Sequence, residues 1–81
     1  MNEHMLILYG TEICHLCELA ETLLDDICEQ HQINYQKVDI IDNPEHYEKY
    51  KTSIPVLTYQ NKELLWPFNH EDILKFIQKL S

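Results

Sequence analysis

Apolar and polar positions alternate along this chain in two distinct periods. Met5 to Tyr9 is an unbroken apolar run, bounded by the only glycine, Gly10, and reads as a buried strand. From Leu16 the apolar residues recur at the three-and-four spacing of one helix face: Leu16, Leu19, Ala20, Leu23, Leu24, Ile27 and Cys28. That period predicts a helix from about Cys14 to Gln30. Ile33 to Ile40 follows as a second strand, with Tyr35 and Val38 among polar neighbours. Asn43-Pro44 is a helix start, Asn as the cap and Pro at the first helical position, and the helix runs to about Tyr50.

Ile54 to Tyr59 reads as a third strand, opened by Ser53-Ile54-Pro55. Gln60-Asn61 is a hairpin turn, and Lys62 to Trp66 is a fourth strand. Asn69 caps a last helix whose apolar face is Ile73, Leu74, Phe76, Ile77 and Leu80, with Asp72 favourably placed on its dipole. The order βαβαββα predicts an α/β fold with a four-stranded mixed sheet flanked by helices on both faces. The two βαβ connections are expected to give parallel strands and the hairpin an antiparallel pair.

The candidate chemistry sits where the first strand hands over to the first helix. Cys14-His15-Leu16-Cys17 places two thiols on one helical turn, with Cβ atoms about 5–6 Å apart; a small adjustment brings them within disulfide range. The first turn of a helix has free N–H groups and the positive end of the macrodipole, which favour a thiolate, the nucleophilic form. Cys14, at the cap, is expected to be the exposed attacking thiol. Cys17, a turn further in, is expected to resolve the mixed disulfide. His15 has two readings. Protonated, it would stabilise the Cys14 thiolate and lower its pKa; otherwise it is an exposed helix residue, and Glu12 and Glu18 act in the opposite direction.

Length and charge narrow the partners. Eighty-one residues make one domain, residues 1–81, with a modest core. The net charge is −8, and the six basic residues are all lysine. Nucleic acid and anionic membrane are poor partners for such a surface; it reads first as a solubility feature, and otherwise as suiting a partner with a basic docking patch. The first apolar run is far too short for a signal sequence or a membrane span. A cytoplasmic monomer is expected. Three cysteines, an odd number, argue against a structural disulfide framework and for a pair that cycles.

Cys14-His15-Leu16-Cys17 after a strand, Val38-Asp39-Ile40, Ser53-Ile54-Pro55-Val56-Leu57 and Trp66-Pro67-Phe68, in this element order, resemble the thioredoxin fold in its short, glutaredoxin-like form. More narrowly, the chain is similar to small bacterial glutaredoxin-like proteins with a Cys-His-Leu-Cys motif. The resemblance spans essentially the whole chain. It implies a thiol–disulfide oxidoreductase working through mixed disulfides at Cys14 and Cys17. It also implies a cis Pro55 beside Cys14, with Ile54 and Pro55 binding substrate. Proline suits that place because it brings no N–H to trap the thiolate. No resident cofactor and no metal are expected. A disulfide-containing protein or glutathione is the expected partner, glutathione being a candidate co-substrate, with a reductase as electron donor. Departures are visible as well. Thr11 replaces the usual basic residue, and Trp66 to Asn69, with no glycine, occupy the region where a Gly-Gly turn and an acidic pair hold a glutathione tail. Leu8 and Ile13 replace the thioredoxin Asp and Trp. Lys51 is the one obvious cation for an anionic ligand.

The rival class is a binding module, either an adaptor with an inactive redox fold or a zinc protein. Cys14-x-x-Cys17 with Cys28-x-x-His31 has the look of a four-ligand zinc set. The stretch between the pairs has no Gly or Pro and a clear helical period, and 14 residues at 1.5 Å each put Cys28 about 21 Å from Cys14. Cys28 reads as a small apolar core residue. His4, His31, His46 and His70 read as surface residues. Trp66-Pro67-Phe68 reads either as an apolar wall near the thiols or as packing under the last helix.

Overall fold

The computed structural model describes residues 6–78. Met5, His4 and Leu80, named above, lie outside them. The elements are β1 (Leu6–Gly10), α1 (His15–His31), β2 (Tyr35–Asp39), a 3-10 turn (Ile40–Asp42), α2 (Pro44–Tyr50), β3 (Val56–Tyr59), β4 (Lys62–Leu65) and α3 (His70–Gln78). They follow the expected order. The four strands form one mixed sheet, ordered β2-β1-β3-β4.

β1 and β2 are parallel, β1 and β3 antiparallel, and β3 and β4 antiparallel. The expected second parallel connection is therefore corrected: α2 does not carry the chain back across the sheet. Its seven residues rise about 10 Å, less than the roughly 16 Å of a five-residue strand. The chain therefore re-enters the sheet at the end where β2 left it, and β3 runs down beside β1. In consequence the end of β1, the start of α1 and the start of β3 share one end of the sheet.

Local chemistry sets the element ends. Gln32, in the left-handed region at φ 55°, closes α1 by donating its N–H to the Cys28 carbonyl. Ile33 donates to the same carbonyl at 3.0 Å, so β2 begins later than the apolar pattern suggests. Asp39 ends β2 by accepting the Ile41 N–H at 2.9 Å. Asn43 caps α2 through Oδ1, accepting from Glu45 at 2.9 Å and His46 at 3.3 Å. At α3 the cap is reciprocal: Asp72 N–H donates to Asn69 Oδ1 at 2.9 Å and Asn69 N–H to Asp72 Oδ2 at 3.0 Å. Gln60, at φ 53°, turns the hairpin. The Trp66–Pro67 bond is cis, and the chain leaves β4 there.

Both sheet faces are covered. Leu6, Leu8, Leu57 and Tyr59 point to one side and pack with Ala20, Leu24, Ile27 and Cys28 of α1, Ile73 of α3, and Phe68. Tyr9 and Val56 point to the other side, with Ile40, Tyr50 and Ile54. The predicted face of α1 needs one correction. Its buried stripe is Cys17, Ala20, Leu24, Ile27 and Cys28, while Leu16 and Leu19 remain 43% and 42% exposed. The helix is rolled so that Cys17, not Leu16, meets the sheet. Phe68 is buried in the main core and Trp66 meets it edge to face at 5.0 Å, as the packing reading of Trp66-Pro67-Phe68 expects, while Pro67 is exposed.

A polar clasp ties α2 to β4. Tyr50 Oη donates to Glu63 Oε2 at 2.7 Å, and Lys49 Nζ lies 3.3 Å from the same oxygen. The tyrosine hydrogen bond, then the lysine, hold the Glu63 carboxyl below its ordinary value of 4.5 although slight desolvation opposes them. A carboxylate whose pKa is depressed by folding adds stability above that ordinary value, and the contribution vanishes as pH falls through the folded value. Glu63→Gln keeps the tyrosine's acceptor and removes only the charge. We expect it to lower stability at pH 7 by under about 1 kcal/mol, given the exposure of the pair, and the two proteins to converge in acid. Urea midpoints across pH 3–7 check this; parallel curves would contradict it.

Candidate active site

The site is built at the junction of β1 and α1. Cys14 is the N-cap residue of α1, with extended backbone, and its Sγ accepts the Cys17 N–H at 3.1 Å. A sulfur thus fills the place usually taken by a Ser, Thr or Asp oxygen. The two cysteines are joined in a disulfide, with Cα atoms 5.2 Å apart. Their surroundings differ. Cys14 is half-buried at the helix end, whereas Cys17 is 2% exposed and faces the sheet.

Gly10 makes that seat. A Cβ on Gly10 would lie 2.8 Å from Cys17 Sγ, closer than such atoms approach, and a tight 3.3 Å from its Cβ. The chain's single glycine therefore stands where β1 must pass directly under the inner thiol. Sequence reasoning noted Gly10 only as punctuation. Its position seven residues before a buried cysteine was the available signal.

Beside Cys17, on the β2 side of α1, lies an open cleft of about 410 Å³. Glu18 and Glu21 line it from α1, Lys37 and Asp39 from β2, and Glu12 from the loop. Glu21 and Lys37 are paired at 3.0 Å. This cleft was not foreseen, because it depends on the β1–β2 register that brings Asp39 opposite Gly10.

His15 opens α1 next to Cys14. Its side chain is 79% exposed, with Nδ1 3.9 Å from Glu18 Oε1. The Ile54–Pro55 bond is cis, Pro55 is buried, and the pair enters β3 at the sheet end that holds the thiols. Ile54 N–H is engaged with the Tyr50 carbonyl at 3.1 Å. Lys51, the one obvious cation for an anionic ligand, is paired with Glu48 at 3.3 Å.

The third cysteine stands apart. Cys28 is free and buried in the main core, and burial first, then the Asp25 charge, hold its thiol above the ordinary value. It stays protonated and a poor nucleophile. One unbroken helix separates Cys14 and Cys17 from Cys28 and His31. Among the described residues, no group of three or more His, Cys, Asp or Glu side chains is placed to hold a metal ion.

Against known proteins, the family profile described as Glutaredoxin-like domain (DUF836) matches residues 5–78. Among solved structures, the chain is similar to the structural-genomics target XcR50 from X. campestris, with 28% identity, a TM-score of 0.79, and coverage of 91% of this chain and 96% of that one. It is also similar to Ne2328 from Nitrosomonas europaea, with 25% identity, a TM-score of 0.76, and 94% and 93% covered. The oxidised thioredoxin from Plasmodium falciparum has 25% identity and a TM-score of 0.72, with 96% of this chain and 81% of that one covered. No curated protein matches the chain.

Proposed function

Because the chain belongs to the glutaredoxin-like domain family, we propose that it is a thiol–disulfide oxidoreductase that reduces or exchanges disulfides through Cys14 and Cys17. The observation that carries the reading is the unequal burial of two bonded cysteines across one helical turn, the outer one at the helix cap and the inner one sealed against Gly10. In the reduced protein, the Cys14 thiolate attacks a substrate disulfide. One substrate thiolate leaves with the electron pair, and a mixed disulfide forms on Cys14. Cys17 then loses its proton and attacks Cys14 Sγ, releasing the second substrate thiolate. Substrate gains two electrons, and the Cys14–Cys17 disulfide closes.

The surroundings support these steps. The four unsatisfied N–H groups of a helix start and its dipole favour negative charge on Cys14. His15 adds positive charge there when protonated, against Glu12 and Glu18. Pro55 offers no N–H to compete for the thiolate. Ile54, its N–H already engaged, contributes its carbonyl to an extended substrate backbone. Cys28, protonated and buried, takes no part. We take the protein to act as a cytoplasmic monomer, re-reduced by glutathione or by a flavoprotein reductase. Among the described residues, no helix is long and apolar enough to cross a membrane.

The test is a redox titration. The protein is equilibrated in graded thiol–disulfide buffers, denatured, and its free thiols counted by mass tagging. One reversible two-electron transition, with Cys28 tagged throughout, is the expected result, and its midpoint tells whether the pair is poised as reductant or oxidant. Three thiols tagged at every buffer ratio would overturn the proposal in favour of a non-enzymatic module.

A further inference from the structure

The environment of Cys14 says which disulfides this site takes. Three large aliphatic side chains stand in solvent around it. Ile13, directly before Cys14, is 97% exposed, and Leu16 and Leu19 are 43% and 42% exposed along the flank of α1 that begins there. Single exposed apolar residues are ordinary on a protein surface. Here three of them fall within seven residues of the chain, one directly before the reacting cysteine, and Ile13 belongs to neither core cluster.

The carboxylates beside them outnumber the one basic side chain among them, His15, whose Nδ1 lies 3.9 Å from Glu18 Oε1. Glu12 precedes Ile13, and Glu18 lies between Leu16 and Leu19; both are exposed. The chain has no arginine. Among the described residues, Lys37, Lys49, Lys51 and Lys75 each face a glutamate within 4 Å. Lys62 opens β4 opposite Tyr59, at the far end of the sheet from the thiols. No uncompensated lysine in this set stands beside Cys14. Glutathione disulfide carries four carboxylates and two ammonium groups, so it meets acidic residues here, and among the described residues no unpaired lysine beside Cys14 receives its carboxylates, His15 already facing Glu18.

We propose that the substrate at Cys14 is a protein disulfide whose cysteine has an aliphatic neighbour and flanking lysine or arginine residues, and that anionic glutathione disulfide is disfavoured. The inference rests on the oxidoreductase reading and adds the substrate class to it. The aliphatic neighbour covers Ile13 and Leu16, and the basic flanks meet Glu12 and Glu18. Charge complementarity of this kind acts mainly on the encounter rate and is screened by salt. The chemistry is unchanged: the peptide disulfide takes two electrons and two protons to become two thiols, and Cys14 and Cys17 become a disulfide.

The experiment measures second-order rate constants of the reduced protein with four disulfides. They are uncharged bis(2-hydroxyethyl) disulfide, glutathione disulfide, and two peptide disulfides with leucine beside cysteine, one flanked by lysine and one by glutamate. At low salt the lysine peptide is expected to react about tenfold or more faster than the glutamate peptide and glutathione disulfide. That gap should shrink severalfold in 0.5 M salt, a concentration at which charges about 4–5 Å apart are already screened. Changing Glu12→Gln and Glu18→Gln together should narrow it likewise at low salt. Ile13→Ser with Leu16→Ser should slow both peptides about tenfold more than it slows the uncharged disulfide. Glutathione disulfide reacting as fast as the lysine peptide, or a lysine preference indifferent to salt, overturns the substrate class and leaves the oxidoreductase reading standing. No reaction with any of the four overturns both.

Discussion

Cys14→Ser is expected to lower the rate of disulfide exchange by at least about 10³-fold, the scale on which loss of a nucleophile is felt. The reason is ionisation: a thiol yields a useful thiolate near neutral pH, while a hydroxyl yields almost no alkoxide. The same substitution should leave the fold intact. Cys14 caps α1 through its Sγ, which accepts the Cys17 N–H at 3.1 Å, and a serine oxygen is a preferred cap in that position. Lost activity in a variant that melts like the reduced parent is therefore chemistry, not unfolding. Cys17→Ser separates the two halves of the reaction, because Cys14 can still attack but nothing resolves the product. Intact-mass measurement after exposure to a small disulfide should find one adduct on Cys17→Ser and none on Cys14→Ser. A comparable adduct on Cys17 in Cys14→Ser would reverse the assignment of roles. It would also be difficult to reconcile with a Cys17 only 2% exposed.

The thiol pair was legible because everything that defines it is local. A strand, a single glycine and two cysteines one turn apart specify the attacker, the cap and the direction of the helix without any long-range contact. The caps at Asn43 and Asn69 were legible for the same reason: each is a side chain bonding to a backbone group two or three residues away. What escaped depends on register and roll. The direction of β3 turns on how far α2 carries the chain, and its seven residues fall short of a full return. The cleft beside Cys17 needs Asp39 opposite Gly10, a pairing between residues 29 positions apart. The roll of α1 was misread because Leu16 and Cys17 both fit an apolar period. Which of them faces the sheet is decided by Gly10, whose missing Cβ admits Cys17 Sγ. That roll leaves Leu16 in solvent and seals Cys17, so the unequal burial of the two thiols was visible only once the helix was docked.

The roll also makes a quantitative claim about stability. Leu24 is 0% exposed and packs between α1 and the sheet beside Leu6, Leu8, Leu57 and Ile73, whereas Leu16, eight residues earlier on the same helix, is 43% exposed. Leu24→Ala removes buried methyl groups and leaves a cavity that a two-sided core closes only partly, which costs about 2–5 kcal/mol. Leu16→Ala changes mostly solvated surface and is expected to cost less than about 0.5 kcal/mol. The contrast is large relative to the whole. At about 0.05–0.15 kcal/mol per residue, a chain of 81 residues has about 4–12 kcal/mol of stability in total. Leu24→Ala should therefore shift the urea midpoint severely, or leave the protein partly unfolded at 37 °C. Leu16→Ala should keep the parent's transition and differ only in its rates with apolar peptides. Equal losses from the two substitutions would mean that α1 is rolled as the apolar period alone suggests. Cys17 would then not be sealed, and the division of labour between the two thiols would lose its structural basis.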